Sequence, residues 1–280
     1  MTAAITRKQH KFNFRGSLSI PFVVFMVFFV IIPLFLVVYF ALTDDQGHFY
    51  VENWGKIFTS SDKWKTIGLT LLIAFFTTLF CLLIAYPIAM ILSDSKLNKN
   101  KVLVYFIILP MWVNFVVRTM ALRDMVNNMF ELMFQFQLTA KHPIVGTVLG
   151  MVYDYLPFAI LPLYNQMLKM DKNQIEAAAD LGANPIRVFY KVILPMTVPG
   201  IISAATMTFM PTMSSYVVAD QMGNGKVLII GSLIESYVHV LHDNNGASIL
   251  SLVMLFIIGL SLVVEKVADK KEDDRKVGVW

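Results

Sequence analysis

The side chains of this sequence that could do chemistry lie mostly inside apolar runs. Asp154 stands between Tyr153 and Tyr155. A carboxylate at membrane depth is costly unless it is paired or faces water. Two readings therefore stand: Asp154 meets a cationic ligand, which the flanking rings would also attract, or it pairs with Arg118 or Arg123. Ser203, Thr206, Met207, Met210 and Ser214 recur at helical spacing near Pro211 and Tyr216. Small hydroxyls and flexible thioethers suit a pathway and equally a close helix interface. Pro211 favours the pathway, because it frees a carbonyl that a water-filled cavity can satisfy. Trp112 and Asn114 follow Pro110 and are candidates for the same route, with Trp112 also suited to anchoring at an interface. Glu235 and Asp220 could attract a cation or contact a delivering protein, against a default of solvated loop charge. His239, His242 and Asp243 form an H-x-x-H-D cluster that reads as polar surface rather than a metal site. GxxxxGK[ST], a catalytic triad and HExxH are all absent, so the chain is expected to be no enzyme, with no catalytic or metal-binding residue.

The elements that must position these groups are membrane helices. The chain has 280 residues, 57% of them apolar, and its mean hydropathy of +0.65 is too high for a soluble domain. Six segments, at 18–42, 67–92, 102–122, 144–168, 198–217 and 247–267, are long enough to cross about 30 Å of hydrocarbon. Pro110 and Pro211 interrupt the third and fifth. The first follows Arg7, Lys8, Lys11 and Arg15 but exceeds the h-region of about 7–15 residues of a signal peptide, and no cleavage signal precedes Asp44. The expected class is all-α and polytopic, with tails at 1–17 and 268–280 flanking one membrane domain, 18–267. The lone Cys81 permits no internal disulfide.

The net charge of +4 is explained by topology rather than nucleic acid. Placing both termini in the cytoplasm puts 16 of the 23 Lys and Arg residues inside, as the positive-inside rule requires. Those left outside are accompanied by Asp44, Asp45, Glu52, Asp62, Asp124, Glu131, Asp220, Glu235 and Asp243. The location expected is a cell (inner or plasma) membrane. No internal repeat is evident, which weakens the case for an inverted-repeat secondary carrier.

The loop 169–196 is too regular for a passive connector. Asp171 with Gln174 forms a capping-box pattern, Gly182 is placed to end that helix, and Asn184-Pro185 starts another. Ile175, Ala178, Ala179 and Gly182 share one face; Ile186, Phe189, Tyr190 and Ile193 form an apolar stripe. Such a surface asks for a partner protein, its own subunit or the lipid interface.

Within this loop Glu176, Ala177, Ala178, then Gly182, then Leu194 and Pro195 resemble the EAA motif of ATP-binding-cassette importer permeases. Val192 stands where the family pattern has isoleucine. The resemblance implies a type I (MetI-like) permease fold, half of a translocation pathway, and an α-helix that couples to ATPase subunits. It also implies a dimer of ATPase subunits that use ATP and Mg, a second homologous permease and an extracytoplasmic substrate-binding protein, with no cofactor on this chain. LPMWVNFVVR at 109–118 and YDYLPFAILP at 153–162 look like the permeases of spermidine and putrescine importers. The pathway would then include Trp112, Asn114, Asp154, Tyr155, Met210, Ser214, Tyr216 and Glu235. An ion-coupled carrier, or a permease for another small solute, is the rival reading.

Overall fold

A computed structural model describes residues 20–44, 46–50, 52–94 and 102–277. The expected tail 1–17 and the basic residues Lys96, Lys99 and Lys101 lie outside them. Helix α1, Ile20–Leu42, is followed by the short α2, Glu52–Thr59, and the long α3, Ser61–Ser93. Next come α4, Val102–Trp112, α5, Phe115–Phe134, and α6, Pro143–Leu168. The loop helix α7, Lys172–Asp180, leads into α8, Pro185–Ser214. The last elements are α9, Tyr216–Met222, α10, Ile230–His239, and α11, Asn244–Val277.

Helices α3, α6 and α8 pack together at the centre. Small residues on α3 allow close approach: Cys81, Ala85 and Ala89 are fully buried at one-turn spacing, opposite Met151, Ala159 and Leu163 of α6. With lipid tails as apolar as leucine, such fit rather than hydrophobic exclusion drives association. Helix α1 lies on α11 and turns almost all its apolar surface outward, as expected of a helix solvated by lipid. At its end Trp54 of α2 donates to the Ala41 carbonyl at 2.8 Å. In α11 the helix continues through Val277, into the segment expected as a tail.

Two expectations need correction. The segment 102–122 was expected to span as one helix, but α4 and α5 meet at a 97° bend. Pro110 cannot donate to the carbonyl four residues earlier, the chain tightens into a 3₁₀ turn at Leu109–Trp112, and Asn114 restarts it. The Asn114 Oδ1 accepts from Val116 N at 3.0 Å and Val117 N at 3.3 Å, a side-chain N-cap. Second, the helix begun at Asn184 was expected to be separate from the fifth span, yet α8 runs unbroken from Pro185 to Ser214. Its π turn at Phe189–Ile193, in which Leu194 N donates to the Phe189 carbonyl, precedes Pro195. The same device precedes Pro33 in α1, where Ile32 N donates to Val27 O. Widening the turn by one residue relieves the clash between the proline ring and the preceding turn.

Helix α9 is seated on α6 by two glycines one turn apart. A Cβ on Gly146 would stand 2.6 Å from the Met222 carbonyl, and one on Gly150 would stand 2.5 Å from Met222 Cγ. Gly146→Val should therefore overpack this joint by about 1–3 kcal/mol and lower the unfolding temperature of the detergent-solubilised protein. An unchanged temperature would mean that α9 is not held there.

Candidate functional site

The charge at membrane depth resolves into a pair. Asp154 is 0% exposed and Arg118 10%. The guanidinium reaches Oδ1 through Nη2 at 2.8 Å and Nε at 2.9 Å, while the Thr119 hydroxyl donates to Oδ2 at 2.8 Å. Arg118 Nη1 also donates to the Pro110 carbonyl at 3.0 Å, so one side chain ties α4, α5 and α6 together across the bend. The Arg118 charge also lies 5.7 Å from the Tyr153 ring centre. Of the two readings open for Asp154, the structure selects the ion pair, and with Arg118 rather than Arg123. Arg123 instead donates to Asn224 Oδ1 at 3.3 Å.

Around this pair opens a groove. A cleft of about 320 Å³ is lined by Met111, Phe115, Arg118, Asp154, Tyr155 and Phe158 among others. A larger cleft of about 520 Å³ continues it toward the α7 end of the molecule, lined by Asn165 and Gln166 of α6, by Lys169 just past its end, and by Gly200, Ser203 and Met207 of α8. Met111 and Phe158 line both. One face of α6 forms the floor: 154, 158, 161, 165 and 169 follow each other at three- and four-residue steps.

The expected pathway residues divide accordingly. Asp154 and Tyr155 line the smaller cleft, and the Tyr155 hydroxyl donates to the Pro211 carbonyl at 3.4 Å. Trp112 is 86% exposed in the 3₁₀ turn, and Asn114 is spent on capping α5. Met210, Ser214, Tyr216 and Glu235 line neither cleft. Ser214 instead donates to the Pro211 carbonyl at 3.2 Å, Tyr216 opens α9 and Glu235 belongs to α10. Met111, Phe158, Asn165, Gln166 and Lys169 were missed, although the helical stripe running on from Asp154 could have found three of them, Phe158, Asn165 and Lys169. In the histidine cluster, the Asp243 Oδ1 accepts from Gly246 N at 2.7 Å and so caps the start of α11.

At the α7 end the loop is tightly specified. Asp171 caps α7, its Oδ1 accepting from Asn173 N at 3.0 Å. The helix stops in a Schellman motif, with Gly182 N donating to Ala179 O at 2.9 Å and Ala183 N to Ala178 O at 3.2 Å, a closure that needs the left-handed φ of +80° at Gly182. The side chain of Asn184 then accepts from Arg187 N at 2.8 Å. Glu176 and Ala177 are exposed on α7, Ala178 and Leu194 half-buried, and Pro195 exposed. Leu181, 90% exposed, stands out from the turn beside the exposed Ile186 and Tyr190. Behind the turn the base of α8 is fastened to its neighbours. Phe189 meets Tyr86 of α3 edge to face at 5.7 Å, Tyr86 shares a 2.9 Å hydrogen bond with Thr197, and Gln166 of α6 donates to the Met196 carbonyl at 2.9 Å.

Comparison with known proteins is consistent across sequence and structure. Residues 57–270 match the family described as binding-protein-dependent transport system inner membrane component. The chain is 33% identical over 264 residues to the spermidine/putrescine transport system permease protein PotB of Haemophilus influenzae, covering 88% of this chain and 90% of that protein. It is 29% identical over 253 residues to PotB of Escherichia coli K12, covering 85% and 92%. In three dimensions it is similar to a chain of a bacterial ABC transporter involved in the import of the acidic polysaccharide alginate. That match has a TM-score of 0.72 over 93% of this chain and 95% of that one, at 15% identity.

Two measurements test the site. Arg118→Met or Asp154→Leu alone strands a buried charge and should cost about 3–5 kcal/mol, whereas the double replacement should recover most of that loss. Additive losses in thermal unfolding would show that the pair is not coupled. At Gly182 a Cβ meets nothing within 4 Å, so Gly182→Ala should cost only the left-handed conformation, about 1 kcal/mol, and Gly182→Asn less. Hydrogen exchange in α7 reads both, and equal protection in all three proteins would exclude the Schellman closure.

Proposed function

Because the chain belongs to the family of binding-protein-dependent transport system inner membrane components and has the fold of an ABC importer permease, we propose that it passes polyamines, spermidine or putrescine, through its groove. The observation that carries this reading is the groove itself. It runs along α6 from the Arg118–Asp154 pair to Lys169, beside the loop that bears α7, and one side of it is open. The PotB relatives, matched over most of both chains, support the choice of substrate. Aromatic rings at Phe115, Tyr155 and Phe158 give the groove surfaces that suit an alkylammonium. Asp154 has a different task, holding Arg118 and the bend in place.

The α7 end faces the cytoplasm in this proposal, since Lys169, Lys172, Arg187 and Lys191 gather there while acids predominate at the other end. Exposed Leu181 and the small residues of α7 dock into an ATPase subunit, one of two that bind ATP and Mg. This chain has no phosphate-binding loop of its own. A second permease covers the open side of the groove, and a substrate-binding protein delivers ligand at the opposite end. Closure of the ATPase pair displaces α7, and the unbroken α8, fastened to α3 and α6 at its base, carries that displacement into the groove walls. The energy of ATP binding thereby biases a two-state permease.

The assembly, purified through this chain and placed in nanodiscs with its binding protein, should contain an ATPase whose turnover spermidine or putrescine stimulates and uncharged sugars do not. Leu181→Asp should insert normally but reduce uptake about tenfold or more, since a charge in a desolvated contact costs more than 1.4 kcal/mol. Uptake by this chain alone in liposomes without ATP, or stimulation by a different class of solute, would overturn the proposal.

A further inference from the structure

The two clefts meet at a neck. The residues they have in common are Met111, in the 3₁₀ turn that ends α4, and Phe158, one turn along α6 from Asp154. A solute moving along the groove from the Arg118–Asp154 pair toward Lys169 passes these two side chains. Met111 is a flexible thioether that can swing without leaving a fixed void. The ring of Phe158 is held on a helix, with its Tyr155 neighbour 6.1 Å away between ring centres.

The groove has little else with which to recognise a cation. Among the described residues Asp154 is the sole acid lining either cleft, and its two oxygens already hold Arg118 and Thr119. Three aromatic rings line the smaller cleft, and two are committed. Phe115 lies 6.0 Å from the Arg118 charge, and Tyr155 is 8% exposed with its hydroxyl turned to the Pro211 carbonyl. Phe158 is 38% exposed and faces both compartments.

We infer that Phe158 is a specificity-determining residue of the pathway: its ring face takes the ammonium group of an alkylamine as the substrate crosses the neck, with Met111 as the movable opposite wall. The inference rests on the polyamine reading above. An ammonium within about 6 Å of a ring centre is attracted by the quadrupole of the ring, and the contact needs no counter-charge that would trap the substrate. It also disfavours anions, which the negative ring face repels.

The test uses the complete importer in liposomes, with saturating binding protein, and reads spermidine uptake per ATP hydrolysed. Phe158→Leu should lower this ratio about tenfold, and Phe158→Trp should keep it within about threefold. A series of mono-, di- and trifluorinated phenylalanines at 158 keeps the shape of the ring while weakening its quadrupole, and uptake should fall stepwise along it. A flat series, or a Phe158→Leu protein that transports as well as the parent, overturns the inference and leaves the polyamine reading standing. An unmodified importer that ignores polyamines but takes up another solute overturns the polyamine reading itself.

Discussion

The buried pair between Arg118 and Asp154 is the constraint on which the geometry of the groove depends. A helix broken inside a membrane exposes backbone carbonyls where no water can reach them, and each unmet group costs several kcal/mol. The 3₁₀ turn at Pro110 makes such a break, and Arg118 lies back across the bend to share the Pro110 carbonyl with Val113 N, which donates to it at 3.2 Å. That solution carries a positive charge to membrane depth and so demands a negative one beside it. Asp154 supplies it from α6, and Thr119 takes the second carboxylate oxygen. A well-packed apolar pair would hold the helices at least as firmly, but it could not reach from α5 to the Pro110 carbonyl of α4 as Arg118 does. The ionic solution therefore spans the break, and the break places Met111 and Phe115 on the wall of the groove.

A second proline problem shapes the other end. Pro195 stands nearly three turns into what must be a continuous helix if the loop is to act on the membrane segment. Its clash and its missing donor are absorbed by the π turn at Phe189–Ile193, so α8 bends its hydrogen bonding without breaking its axis. In α4 the comparable difficulty ends the helix, because Asn114 offers a cap and a fresh start. Beyond Pro195 no such cap follows, and the π turn lets the helix run on.

Much of this was legible in the sequence, and the failures have local causes. The loop caps at Asp171, Gly182 and Asn184 could be read because capping is a short-range rule and every partner lies within five residues. Asn114 obeys the same rule, yet its place in an apolar run suggested a pathway role instead. Asp154 could be narrowed to two readings, but choosing Arg118 over Arg123 required knowing which face α5 turns to α6 after a 97° bend. Met210 and Ser214 were grouped by helical spacing and do share α8, whereas Tyr216, placed near the end of the same helix, begins a new axis in α9 because α8 ends at Ser214. Phe158, Asn165 and Lys169 continue a stripe that starts at Asp154, so the floor of the groove was present in the pattern.

The packing also limits how the groove can open. A Cβ on Gly200 of α8 would lie 2.6 Å from the Gln166 Cβ of α6, and Gln166 donates to the Met196 carbonyl beside it. Two helices that close cannot slide apart by small steps without losing contacts that nothing replaces in lipid. Helices α6 and α8 are therefore tightly fastened to each other, and to α3, whose Tyr86 is bonded to Thr197. The α4 wall is held as well, since Arg118 clamps the turn that carries Met111. Three of the groove's sides are thus fixed relative to one another, and a displacement of α7 tilts them as a unit. Under the proposed function, widening and narrowing of the backbone then fall to the uncovered side, where the second permease is placed, and on this chain the groove changes by side-chain motion such as that of Met111.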